Sequence, residues 1–165
     1  MRWLLWLTLI LISFPALAED VPDAYRSTGY PLPRFAAVAS DKVYVRAGPG
    51  MKYPILWVFE KKDYPVEIIL EFDTWRKVRG HDGEEGWVHS SLLSGKRTAY
   101  VTGEEPLPLH KSAQTDSAVV AMLKPGVIAD IKECEGEACK LAVSGYKGWA
   151  ERKLIWGVYA SENLN

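Results

Sequence analysis

Few side chains in this sequence have types and spacings suited to chemistry. Cys134 and Cys139 flank Glu135-Gly136-Glu137-Ala138, a candidate four-residue turn. Residues on either side of such a turn face each other across a hairpin, at a Cα separation of about 4.5–5.5 Å. A disulfide accepts that spacing, and two cysteines admit one connectivity. The loop it closes is short, so the chain-entropy account gives it only roughly 2 kcal/mol. A zinc site wants four ligands and only these two lie near each other, so no metal site is expected. His81, His89 and His110 show no ligand spacing, and no Gly-x-Ser-x-Gly occurs. A Cys-His hydrolase needs a free thiol, and both thiols are committed to each other. Glu84-Glu85 and Glu104-Glu105 fall in turn-like stretches and read as solvated. The expectation is a protein that is not an enzyme and carries no cofactor.

Binding chemistry has better candidates. Arg46, Tyr53 and Trp57 surround the Gly48-Pro49-Gly50 turn, and a guanidinium beside aromatic rings can hold a peptide carboxylate. The competing reading is that Arg46 satisfies carbonyls of its own loop. The glycines permit positive φ. They do not form a phosphate cradle, because the Lys-Ser/Thr pair and the following helix are missing. Trp75 and Trp87 form the second candidate. In Trp75-Arg76-Lys77-Val78 and Gly86-Trp87-Val88-His89, valine suits the core at 78 and 88. Alternation then sends both indoles to the opposite face. If the two strands pair, the indoles make an aromatic platform, unless the leader, the loop or a second module covers them.

The elements that must position these groups are short strands. Runs at Phe35 to Val38, Val43 to Arg46, Ile55 to Phe59, Val66 to Phe72, Trp75 to Arg79, Glu85 to His89 and Arg97 to Val101 are separated by turn formers. That spacing is the signature of a small all-β barrel. The best helical candidate, Ser91 to Gly95, is a single turn. Gly103-Glu104-Glu105-Pro106 then interrupts the pattern, and the C-terminal third of the chain repeats it. Leu107 to His110 answers Val43 to Arg46, Val119 to Lys124 answers Ile55 to Glu60, Gly126 to Ile131 answers Asp63 to Ile68, and Gly148-Trp149-Ala150 answers Gly86-Trp87-Val88. On this alignment Cys139 falls on Trp75, as if the second copy exchanged a surface aromatic for a covalent staple. The first copy would then be the binder. The division expected is residues 1–18 as a signal peptide, 19–34 as an irregular leader, 35–102 as a first barrel and 103–165 as a second, divergent barrel.

The run VYVRAGPG, with Tyr53-Pro54, Trp75-x-x-Val78 and Gly86-Trp87-Val88 coming after it in order, resembles the bacterial Src-homology-3-like domains of exported proteins. Gly148-Trp149-Ala150 and Leu154 to Tyr159 resemble a second copy, in which His110-Lys111-Ser112-Ala113 departs from the opening turn. The resemblance implies two tandem small, strongly bent β-barrels in an all-β chain. It also implies a role in binding cell-wall peptides in the periplasm or at the wall.

The N-terminus agrees with export. Arg2, the apolar run Trp3 to Phe14 and Ala16-Leu17-Ala18 have the layout of a secretory signal. The run is too short to span a bilayer as a helix, which needs about 20 residues, so no stable membrane span is expected after cleavage. An uncleaved anchor is the alternative. With 20 Lys and Arg against 21 Asp and Glu, nothing draws a polyanion over long range, and nucleic acid is not an expected partner. The expected partner is a cell-wall peptide or an envelope protein, the alternative being a scaffold in a periplasmic complex.

Overall fold

The computed structural model describes residues 22–164; residues 1–18, expected to be a signal peptide, lie outside them. The protein is all-β, with two antiparallel sheets of seven strands each. The first contains β1 (Arg34–Val38), β2 (Val43–Arg46), β3 (Ile55–Phe59), β4 (Pro65–Phe72), β5 (Trp75–Arg79), β6 (Glu85–His89) and β7 (Leu93–Ser94). The second contains β8 (Thr98–Val101), β9 (Leu107–His110), β10 (Val119–Leu123), β11 (Ile128–Glu135), β12 (Ala138–Val143), β13 (Tyr146–Glu151) and β14 (Ile155–Trp156). The first sheet runs β3-β2-β6-β5-β4-β1-β7, and the second has the same order with every strand number advanced by seven. The expected turn near Ser91 is a 3-10 turn at Ser90–Leu92, with a counterpart at Arg152–Leu154.

β8 pairs with β11 and β14 in the second sheet. The strand that the 102/103 division leaves with the first module therefore hydrogen-bonds with the second. It is the counterpart of β1, which pairs in the same way with β4 and β7.

Alternation explains the core. Val43 and Val45 point inward from β2, and Val78 and Val88 from β5 and β6, all fully buried. Each such valine contributes on the order of 1.5–3 kcal/mol. The second module uses larger residues at matching places, with Leu109 and Leu141 fully buried. Gly86 and Gly148 are required where β2 and β9 cross close over the hairpin. A Cβ at Gly86 would stand 2.3 Å from Val45 Cγ1, and one at Gly148 would stand 2.9 Å from Leu109 Cβ. Gly86→Ala is expected to cost about 1–3 kcal/mol by overpacking; a urea melt of the variant against wild type reads it.

The modules pack against each other. Lys96, between β7 and β8, bridges Asp63 and Asp130 at 2.8 Å each, and these carboxylates hold its ammonium above the usual lysine range. Thr98 Oγ1 donates to the Asp63 carbonyl at 2.7 Å, and the Tyr159 hydroxyl donates to Glu67 at 2.8 Å. Phe35 packs between Trp156 and Tyr159, while Tyr100 meets Tyr64 and His81. Among the described residues no helix is long and apolar enough to cross a membrane.

Candidate functional site

The hairpin register decides where the predicted residues stand. Trp75 faces His89, and Lys77 faces Trp87, so the two indoles do share the face opposite Val78 and Val88. That face is not an open platform, because Trp75 and Trp87 are each only 8% exposed. Trp75 packs edge-on to His89, with ring centres 5.5 Å apart. Alternation predicts the face correctly, but it carries no information on what else packs there.

Arg46 faces Trp87 across β2 and β6, and Val45 faces Trp57 across β2 and β3. The Arg46 guanidinium donates through Nη1 to the carbonyls of Tyr53 at 2.8 Å and Met51 at 3.2 Å. It thereby ties the Gly-Pro-Gly loop shut. The Tyr53 ring lies directly over Gly48, where a Cβ would be 2.5 Å from it. Trp57 reaches over Gly86 and packs against the first core. Arg46, Tyr53 and Trp57 are thus brought together in one packed loop. In the second module His110 takes the place of Arg46, facing Trp149, and its Nδ1 bonds the Ser117 carbonyl at 2.9 Å.

An opening in the first module lies between the leader and the sheet. It is a cleft of about 420 Å³ bordered by Thr28, Tyr30, Arg34, Arg76 and Ser94. Behind it Glu71, with no exposed surface, gathers four donors. Thr28 donates from its backbone N–H at 2.7 Å and from Oγ1 at 2.8 Å, Arg34 Nη2 lies at 2.5 Å, and Arg76 Nε lies at 3.3 Å. Burial alone would raise the Glu71 carboxyl, but the hydrogen bonds from Arg34 and Thr28 outweigh it and hold the group below the usual carboxylate range. Two guanidiniums against one carboxylate leave the cleft with a net positive charge. Tyr30, 67% exposed, stands at its rim with the Arg34 guanidinium over its ring. Such a cleft is suited to a polar ligand with a carboxylate. A tether reading of the leader misses it, because Thr28 has no local pattern and Glu71 is one carboxylate among many.

The same position in the second module is the disulfide. Glu71 faces Arg76 as Cys134 faces Cys139, one pair out from two-residue turns that both begin with a positive φ, at Asp73 and Gly136. Both strands also carry a bulge before the pair, between Ile68 and Leu70 and between Ile131 and Glu133. Cys139 therefore corresponds to Arg76, not to Trp75, and the covalent staple replaces a buried ion pair. The bond is formed, and both sulfurs are buried. Replacing both cysteines by alanine is expected to lower stability by roughly 2 kcal/mol. That is roughly 4–8 °C in a thermal melt of a chain this size.

A family description of bacterial SH3 domains matches residues 39–95 and again residues 103–157. The chain belongs to the bacterial SH3 domain family. Both SH3 matches begin just after the strands β1 and β8. The chain is also similar to a putative N-acetylmuramoyl-L-alanine amidase, YrvJ, of Bacillus subtilis, at 25% identity over 131 residues. That similarity covers 73% of this chain, which spans only 25% of the relative. Among solved structures, NlpC2 from Trichomonas vaginalis aligns over 78% of this chain and 49% of its own, at 12% identity and a TM-score of 0.34. NlpC1 from the same organism aligns over 82% and 50%, at 13% identity and a TM-score of 0.34.

Proposed function

We propose that this protein is an exported, non-catalytic binding module of the cell envelope, taking peptidoglycan stem peptides or an envelope protein as ligand. The observation that carries the proposal is the pair of bacterial SH3 domains in a chain that matches a quarter of a putative wall amidase. Binding rather than catalysis is the role that the pair of bacterial SH3 domains supports. In this reading the cleft under the leader receives a ligand carboxylate beside Arg34, with Tyr30 at its rim. Arg46, Tyr53 and Trp57 shape the Gly-Pro-Gly loop, and Trp75 and Trp87 hold the hairpin face.

Retention on purified sacculi tests the proposal. Wild type should be retained, and Tyr30→Ala, which changes an exposed side chain, should be retained several-fold less. Retention of wild type at background would overturn it. The packed contact between the modules favours a second reading, a rigid scaffold for a periplasmic complex. Crosslinking in cells that recovers one stoichiometric partner, without sacculus binding, would select that reading.

A further inference from the structure

The corner of the first module that Trp75 fills is empty in the second. Register makes the comparison direct. Trp75 faces His89 and Phe72; its counterpart Ala138 faces Glu151 and Glu135. Three rings, those of Phe72, Trp75 and His89, are thus replaced by a carboxylate, a methyl and a carboxylate. A cavity of about 150 Å³ opens where the indole would stand. Ala138 and Ala150 contribute apolar wall, Trp149 contributes an indole, and Glu135, Glu137 and Glu151 stand around it.

The geometry points to this cavity as a binding site for a primary ammonium on an aliphatic arm, the side chain of a lysine-type diamino acid in a peptide. Size comes first, since a cavity of about 150 Å³ admits one group of roughly benzene bulk. Its apolar wall matches the methylene arm. Charge selects the head group. The acidic side chains bordering the cavity are Glu135, Glu137 and Glu151, with the imidazole of His110 beside them and no Lys or Arg among the lining residues. Glu151 is paired with Lys153, which reaches it from a largely exposed position. The indole adds cation–π attraction, and Trp149 already receives one ammonium in this way, Lys140 Nζ lying 5.6 Å from the ring centre. The inference rests on the envelope-binding reading for the source of the peptide, and it makes the second module, rather than the first, the reader of the amine.

The test is a titration of the full exported chain, disulfide intact, followed by amide and indole NMR shifts. The probe is N-acetyl-lysine methylamide, with N-acetyl-norleucine methylamide as its uncharged counterpart. The lysine probe should give saturable shifts at Trp149, Ala138 and Ala150, weakening with added salt. The norleucine probe should bind at least about fivefold more weakly. Ala138→Trp, which restores the residue of the first module, should abolish the shifts. Should that variant not fold, Glu135→Gln combined with Glu137→Gln changes only exposed side chains and should weaken binding by a similar factor. Equal shifts from both probes, or no loss in the folded variants, would overturn the inference. Sacculus retention separates the two proposals. If wild type is retained but shows no amine-specific shifts, the cavity inference fails alone. If the shifts appear without retention, the envelope reading fails alone.

Discussion

Glu71→Ala is expected to destabilise the first module by about 3–5 kcal/mol, the usual cost of breaking a buried pair from one side. The carboxylate is fully buried, and its removal leaves Arg76 without its counter-ion, Arg34 without a partner for Nη2, and Thr28 without an acceptor. The leader should loosen with it, because Thr28 is fastened to the sheet through Glu71, while the contact of Tyr25 with Phe72 remains. Protease sensitivity near residue 30 should therefore rise with the loss of stability. Acid should mimic the substitution. The folded Glu71 carboxyl lies below its usual range, so its contribution is complete above that range and is lost as pH falls through the depressed folded value. Glu162, Glu85 and Asp130 are held low by Arg97, Lys77 and Lys96 respectively, and they add to the same acid limb. In urea melts at stepped pH, wild type should hold a flat midpoint above the carboxylate range and lose it below. Glu71→Gln should start lower and fall less steeply. The second module suggests a rescue, since Cys134 and Cys139 occupy the matching pair. Glu71→Cys with Arg76→Cys, oxidised, should recover stability relative to Glu71→Ala. A change below about 1 kcal/mol for Glu71→Ala would mean the pair behaves as a solvated one.

Gly157→Ala is the second large effect expected, at about 2–6 kcal/mol in all. Gly157 has φ 123°, and a Cβ there would lie 2.1 Å from the Thr98 carbonyl oxygen and 3.2 Å from Pro65 Cβ. The backbone conformation accounts for about 1–3 kcal/mol, and displacing β8 for a similar amount again. The site sits at the junction of the modules, where the Gly157 carbonyl also receives Arg97 Nη2 at 2.9 Å. Thermal melting should drop by about 2–4 °C per kcal/mol. Gly29→Ala, with nothing within 4 Å of its Cβ, is the control that should change little. Similar melts for both variants would show that the junction yields.

Most strands were legible because their cues are local. Val43 and Val45 alternate with Tyr44 and Arg46, Gly-Pro-Gly marks a turn, and two cysteines beside a tight turn admit one bond. The repeat was legible too, but the alignment slipped by one residue near the hairpin. The connection leading into β11, residues 124–127, is one residue shorter than the one leading into β4, residues 60–64, and a shortened loop leaves no reliable trace in composition. That slip set Cys139 against Trp75 and hid the equivalence of the Glu71–Arg76 pair to the disulfide.

By itself, then, the sequence determined the all-β class, the tandem arrangement, the core valines and the cysteine pairing, because period-two alternation and turn chemistry act over a few residues. Only the tertiary structure decided which faces are covered. The burial of Trp75 and Trp87, the fastening of the leader by Glu71 and the vacancy beside Ala138 all depend on side chains far apart in the chain. Alternation states which way a side chain points; packing decides whether anything waits there.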